Sequence, residues 1–468
     1  MPSTTSARSV MLTAAVLLIA ATPLLTSAQD QHPADSAVSR DRPDSSQLVE
    51  LTRQMSALRA DLARLTSAKS AAKPGESPAV LAVGKDGFSV RSADKAFEAK
   101  LRAYFQTDGR MRVGSKSSPL TSTFLLRRMR PILDITMWRI MDFHLMHDFA
   151  DNRLYDANFD LRLDKRFSVR AGKFKPPVSL ERLQSAADLS FVERGMPTNL
   201  APSRDVGVQA FGDLMGGTIS YAAGIFNGVP DLAVGDIDNG ATKDAAGRIM
   251  VKPFNRTSLN ALKELTVGVA GSHGVQRGTT AAPFLPAYRS PSQQAVFSYR
   301  TNGTDDGTVV AAGTHARLYP QATFYLGRFG AMAEYARSSQ VVRRAATSAT
   351  LSHNAWQLAG SWTLTGEKAS YRGVVPANAF DPSAARWGAF ELVARVGGLR
   401  IDRDAFPVFA DPLKQISRET SWGTGLNWYL ARSIRLLVDV DVTTFRGGSA
   451  EGNRPSEKVL MTRLQHGF

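Results

Sequence analysis

The sequence predicts an all-β fold, a transmembrane antiparallel β-barrel of about 16 strands preceded by a short coiled-coil helix. Three observations lead there. In the last segment, Leu460, Thr462, Leu464, His466 and Phe468 share one parity, and Met461, Arg463 and Gln465 share the other. A period of two with charge on one face suits a strand between apolar and wet surroundings. A chain stopping on its last strand residue fits a barrel, whose final strand must leave no open edge in lipid. An ordinary edge strand is the alternative. The second observation is an export sequence at the amino terminus. The third is alternation that recurs over residues 95–468 with no helical period.

The elements follow in order. Arg8 precedes an apolar run from Val10 to Ala21, then Pro23 and the small residues Thr26-Ser27-Ala28, so residues 1–28 read as a secretory signal peptide cleaved after Ala28. The run is shorter than the roughly 20 residues that span a bilayer as a helix. Residues 29–46, rich in Asp, Ser and Pro, read as a disordered spacer. Within 47–66, Leu48, Leu51, Met55, Leu58, Leu62 and Leu65 alternate spacings of three and four, a heptad seam. Such a short helix gains stability from association, so a small oligomeric coiled coil is expected, with a helix packed on its own domain as the alternative. Residues 67–94 form a linker with a strand-like piece at Phe88–Val90.

From 95 to 468 the strands alternate sharply. Tyr155, Ala157, Phe159, Leu161 and Leu163 interleave with Asp156, Asn158, Asp160, Arg162 and Asp164. Ile434, Leu436, Val438, Val440 and Val442 interleave with Arg435, Asp439 and Asp441, and Leu437 is the apolar exception. Phe390, Leu392, Ala394 and Val396 share a face, as do Trp422, Thr424, Leu426, Trp428 and Leu430. A soluble sandwich would place the charged face in solvent; a membrane barrel places it in the lumen. Trp362, Trp422, Trp428 and Tyr429, read as strand-end aromatics, favour the membrane. At roughly 20–24 residues per strand and turn, this stretch holds roughly 16 strands.

Composition narrows the function. A long exported chain without cysteine needs a stabiliser other than disulfides, and a closed hydrogen-bonded barrel supplies one. Lys and Arg number 57 against 42 Asp and Glu, a formal charge of +15. Removing Arg8 with the signal peptide leaves 15 − 1 = +14. That excess points to anionic partners, and export argues against nucleic acid, leaving small anions and outer-membrane lipid. Residues 175–205 break the strand period with Pro176, Pro177, Gly195, Pro197 and Pro202. They read as an inward constriction loop carrying Lys175, Arg182, Arg194 and Arg204 against Glu181, Asp188, Glu193 and Asp205, with an exposed surface loop as the alternative. Guanidinium forks suit oxyanions, and a row of them offers shallow positions from which an ion can hop onward. No cofactor is expected. His144 and His147 fall on opposite strand faces and cannot share a metal, no Gly-rich phosphate loop is present, and no Ser and His pair suggests a hydrolase.

A set of words in fixed order carries a family resemblance: Phe-Leu-Leu-Arg-Arg-Met-Arg at 124–130, His-Asp-Phe-Ala at 147–150, Leu-Tyr-Asp-Ala at 154–157, Gly-Lys-Phe-Lys-Pro-Pro at 172–177, Ser-Leu-Glu-Arg at 179–182, Phe-Val-Glu-Arg at 191–194 and Gly-Ile-Phe-Asn-Gly at 224–228. Gly-Ala-Phe-Glu-Leu-Val-Ala-Arg at 388–395, Gly-Leu-Asn-Trp-Tyr at 425–429 and the final Thr-Arg-Leu-Gln-His-Gly-Phe continue it. The chain after the coiled coil resembles the phosphate-selective porin O and P family. The resemblance implies a 16-stranded homotrimeric porin of a Gram-negative-type outer membrane, with its third loop folded into the lumen. It implies pore-lining roles for Arg127 and Arg128 as the ladder's Arg-Arg pair, for Arg194 as another ladder arginine, and for Asp156 as the constriction aspartate. Arg182 stands where phosphate-selective members have lysine, and Tyr104 where they have arginine. Passive diffusion of phosphate or polyphosphate is the expected function. The alternatives are a general porin of low selectivity, or a barrel anchor whose coiled coil tethers the envelope. With Arg182 and Arg194 both changed to Glu, reversed or abolished anion selectivity in an intact barrel is expected.

Overall fold

The computed structural model describes residues 79–84, 87–114, 121–236 and 242–468, together with four helical positions at 53, 56, 57 and 60. The signal peptide, the spacer and the six seam residues of the coiled coil lie outside the described residues.

Sixteen strands form a closed wall. They are β1 (Phe97–Arg112), β2 (Thr123–Met137), β3 (Met141–Asp148), β4 (Arg153–Asp164), β5 (Phe167–Phe174), β6 (Asp205–Leu214), β7 (Ile219–Phe226) and β8 (Asp244–Val251). Then come β9 (Thr266–Arg277), β10 (Val310–Leu326), β11 (Phe329–Arg344), β12 (Thr347–Thr363), β13 (Ala389–Arg400), β14 (Ile416–Tyr429), β15 (Ile434–Ser449) and β16 (Glu457–Gly467). Each pairs antiparallel with the next, and β16 pairs with β1 from Val459↔Arg112 to Gly467↔Tyr104. Closure removes every edge that lipid could not hydrogen-bond. Phe468 extends the seam: its N–H donates to Ala103 O at 3.0 Å and its carbonyl accepts from Ala103 N–H at 3.1 Å.

The alternation sorts faces as anticipated. On β13, Leu392, Ala394 and Val396 point outward while Glu391, Val393 and Arg395 are buried inside. On β15, Arg435, Leu437, Asp439 and Asp441 face inward. Leu437 breaks the polar pattern because it packs there with Val192 of the loop 175–204 and with Val459 and Met461. Trp362 lies outside, stacked on Phe329 at 6.0 Å, and Trp422 is exposed in mid-strand. Tyr429 differs from the expected aromatic belt. Its side chain is buried inside, and its hydroxyl donates to Glu391 Oε2 at 2.7 Å, since a buried phenol needs a polar partner.

Within the expected linker, Val80–Gly84 and Gly87–Arg91 form a hairpin. Its second strand pairs with β1 from Phe88↔Leu101 to Arg91↔Glu98, continuing the edge where β16 stops, and the Phe88 ring meets Phe468 edge-on at 5.6 Å. The wall is uneven. β3, β5, β7 and β8 have 8 residues each, whereas β10 and β12 have 17.

The seam is clamped by charge as well as by the ladder. Arg463 and Asp108 are direct cross-strand partners, and Arg463 donates from Nε to Oδ1 at 2.7 Å and from Nη2 to Oδ2 at 2.8 Å. Both side chains are fully buried. Changing Arg463 to Ala leaves the Asp108 carboxylate without this partner, and stability should fall by about 3 kcal/mol, the lower range for breaking a buried pair. Urea unfolding of the refolded barrel in detergent micelles measures it; an unchanged midpoint would show that the pair contributes nothing to closure.

Candidate functional site: an arginine-lined passage

The segment 175–204 leaves the wall after β5 because Pro176 and Pro177 cannot donate to a ladder. It then lies inside the barrel. Val178, Leu200 and Ala201 are at 0% exposure, which rules out an exposed surface loop. Apart from an isolated bridge between Arg204 and Val234 at its end, its backbone has no strand partner, so wall side chains take that place. Glu334 Oε1 accepts from Leu180 N–H at 2.6 Å, and Asp439 Oδ2 from Val192 N–H at 3.2 Å. Gln106 donates to Ala186 O at 2.9 Å, Asn427 to Ser190 O at 2.9 Å and Arg395 to Glu193 O at 2.6 Å. A single helical turn, Leu180–Leu183, is capped by Ser179, whose Oγ accepts from Arg182 N–H at 3.3 Å.

Four of the expected site residues come together here. Arg127 and Arg128 from β2, with Arg182 and Arg194 from the inward segment, border one cavity of about 90 Å³. Glu193 is the carboxylate on that cavity. It accepts from Arg127 Nε at 2.7 Å and Nη2 at 3.2 Å, and from Arg110 Nη2 at 2.7 Å. Burial alone would raise its pKa, but Arg127, then Arg128 and Arg463, hold the carboxyl far below its usual range. Arg182 Nη2 donates to Thr198 O at 2.5 Å, and Arg194 reaches Glu181 O at 3.1 Å and Gln184 O at 2.7 Å. Burial and their mutual repulsion lower Arg182 to about 9; burial and Arg204 lower Arg194 to about 10, so both stay charged at neutral pH. Arg128 Nε and Arg182 Nε are buried with no hydrogen-bond partner among the described residues.

The fifth expected residue lies elsewhere. Asp156 borders a separate cavity of about 810 Å³, on the turn side of the inward segment. It accepts from Arg204 Nε at 2.7 Å and Nη2 at 3.1 Å, the neutralising arrangement that keeps an arginine folded. A bulge leaves Tyr155 unpaired beside it, and the Tyr155 ring lies under Arg130 at 4.0 Å. Lys175 donates to Leu183 O at 3.0 Å and Gln184 O at 2.9 Å; burial, then Arg204 and Arg194, push its pKa well below the usual value. Tyr104 accepts from Arg130 Nη1 at 3.0 Å.

Sequence reading missed a cation from the connection 278–309. Arg289 borders the small cavity with the other four arginines. Its N–H donates to Asn199 Oδ1 at 3.0 Å and its carbonyl accepts from Asn199 Nδ2 at 2.9 Å, so the two loops fix one another. The length of that connection, with Pro283, Pro286 and Pro291 interrupting any strand, was the available signal.

The model of the phosphate-selective porin O and P family matches residues 97–468, from the first residue of β1 to the last residue of the chain. The chain belongs to that family. It is an outer-membrane porin. No curated protein matches it in sequence. Among solved structures, it is similar to the outer-membrane channel DcaP of Acinetobacter baumannii, at 10% identity and a TM-score of 0.53 over 82% of this chain and 99% of that one. It is also similar to a loop L8 deletion mutant of OmpT of Vibrio cholerae, at 12% identity and a TM-score of 0.51 over 80% and 100%. At such identities the likeness speaks to the fold alone.

In this porin Arg182 and Arg194 hold the backbone of the inward segment as well as carrying charge, so glutamate there tests folding and charge together. Glutamine removes the charge without adding the opposite one and keeps an amide donor, on a shorter side chain. The R182Q/R194Q variant should remain a folded barrel by heat-modifiability on gels and show a reduced anion-over-cation permeability ratio. Changing Glu193 to Gln should move that ratio the other way, because it releases the charge of Arg127. Both are read as reversal potentials in a salt gradient, and an unchanged ratio in both variants would remove the cluster from the conducting path.

Proposed function

We propose that this porin passes small oxyanions, phosphate or polyphosphate, by passive diffusion through its basic lumen. One observation carries the reading: five arginines, 127, 128, 182, 194 and 289, surround one small cavity opposed by a single carboxylate, Glu193. Two of those guanidinium groups keep an unpartnered, buried Nε there. A cavity bordered by this many guanidinium groups suits a ligand with several acceptor oxygens. Arg127, Arg128, Arg182 and Arg194 would hand the anion inward, and Asp156, held by Arg204, would set the arginine beside it. Planar-bilayer recordings test this. A reversal potential favouring chloride, with chloride current blocked by millimolar phosphate, is the expected result; cation preference would overturn it. Anion preference without phosphate block would instead favour a general porin of low selectivity.

The homotrimer expected for the chain has a physical argument. Four of the six strands from β3 to β8 have 8 residues, below the roughly 9–11 that a tilted strand needs to cross the hydrocarbon, so this part of the wall calls for protein cover. A mass of three chains by light scattering in detergent is the expected outcome. The coiled coil at 47–66 belongs to the same proposal, as a second trimer contact or as an envelope tether. Deleting 29–95 should weaken trimer assembly in the first case and envelope attachment in the second.

A further inference from the structure

The outward face of β13, β14 and β15 carries a row of arginines toward the end opposite the short turns 138–140, 165–166 and 327–328. In outer-membrane barrels that end faces the cell exterior. Arg400, the last residue of β13, is the direct cross-strand partner of Arg418 on β14, and Arg418 is the partner of Arg446 on β15. All three are exposed, whereas their chain neighbours Leu399, Glu419 and Phe445 are buried on the lumen side. Adjacent strands lie about 4.8 Å apart, so three guanidinium groups share a patch roughly 10 Å wide. Like charges directly opposite one another destabilise a sheet, and the wall does not offset these. Among the described residues, no carboxylate comes within ion-pairing distance of Arg400, Arg418 or Arg446. In the connection beside them, Asp402 accepts from Ser352 N–H and Asp404 N–H, and Asp411 accepts from Leu413 N–H and faces Arg300 at 3.8 Å.

The rungs that follow toward the membrane place the row at its boundary. Two residues along each strand, the partners are Gly398, Thr420 and Thr444, continued across β12 and β11 by Trp356 and Tyr335. Four residues along, they are Leu358, Val396, Trp422 and Val442, an unbroken apolar line. Cations, then aromatic and hydroxyl groups, then apolar side chains is the order met on passing from headgroups into hydrocarbon. The strands from β11 to β15 have 12 to 17 residues, enough to cross the hydrocarbon unaided, so lipid is what this face meets. Between Arg418 and Arg446 the surface is concave. A hollow of about 380 Å³ is lined by both arginines with Thr420, Thr444 and Asn453. Asn453 Oδ1 accepts from Gly447 N–H at 2.9 Å, which leaves its amide nitrogen to donate.

We propose that Arg400, Arg418 and Arg446 form an outer-surface site for the phosphate groups of an outer-leaflet lipid, whose acyl chains lie along Leu358, Val396, Trp422 and Val442. Each guanidinium fork offers two parallel donors to phosphate oxygens. A bound phosphate also cancels the repulsion between neighbouring arginines, so the lipid ties β13, β14 and β15 together. The row lies outside the lumen, and lipid binding here is independent of anion passage through the pore.

Native mass spectrometry of the full-length porin in detergent micelles, titrated with diphosphorylated lipid A, tests the site. The wild type should retain the lipid, and lipid should raise its heat-modifiability temperature on gels. R400Q/R418Q/R446Q should remain a folded barrel and bind more weakly by about fivefold per lost charge, the effect of one basic residue near an anionic surface. R418Q alone, at the centre of the row, should give one such step. R153Q/R277Q/R343Q removes three other exposed arginines from loop-side strand ends and should bind like the wild type. Equal retention of diphosphorylated lipid A by the wild type and R400Q/R418Q/R446Q would overturn the site. Equal retention of lipid A stripped of its phosphates would overturn phosphate recognition and leave a contact with acyl chains alone. Stabilisation by inorganic phosphate without lipid would assign the row to a free anion and overturn the lipid. In planar bilayers the reversal potential of R400Q/R418Q/R446Q should match the wild type; a shift would put the row on the conducting path instead.

Discussion

A backbone that leaves the sheet and enters the barrel must still have its N–H and C=O groups paired, and this constraint organises the interior. The segment 175–204 has no ladder, so the wall lends it side chains: Glu334 and Asp439 as acceptors, Gln106, Asn427 and Arg395 as donors. These are the charged and amide residues that strand alternation places on the lumen face. Much of the polar character of that face is thus structural. Around Arg127, Arg128, Arg182 and Arg194 the donors exceed the needs of the segment, and the proposed anion passage would use that excess.

The choice of arginine follows from the same constraint. A guanidinium can hold backbone carbonyls with some of its nitrogens and still border the passage, as Arg194 does with Nε on Glu181 O and Nη2 on Gln184 O. A lysine has a single nitrogen with which to do both. Lys175 shows this, with its ammonium turned to the carbonyls of Leu183 and Gln184.

The wall was legible because lipid on one side and water on the other enforce a period of two, and strand after strand obeys it. Even the exception at Leu437 was a readable mark, since an apolar residue on a polar face points to something apolar across from it, here Val192. The inward segment was legible from its prolines. What could not be read was which residues meet across the lumen. Asp156 and Arg182 both lie in family-like words, yet they border different cavities, because the inward segment separates them. The placement of Arg289 depends on its clamp to Asn199, a contact between residues far apart in sequence that leaves no local pattern. Tyr429 shows the limit of assigning aromatics by type: whether it meets lipid or Glu391 depends on parity, not on being aromatic.

The unequal height of the wall has a consequence for the membrane itself. One side mixes strands of 8 residues with strands of 10 and 12, and the other has strands of up to 17. A lone barrel of this shape would force the surrounding leaflets to pinch along its low side or the whole cylinder to lean, at a cost that grows with each ångström of mismatch. Lipid elasticity then becomes a partner in assembly. A thicker bilayer penalises the isolated chain more than a thin one, so the tendency of these barrels to gather would be tuned by acyl-chain length, with no change in any residue.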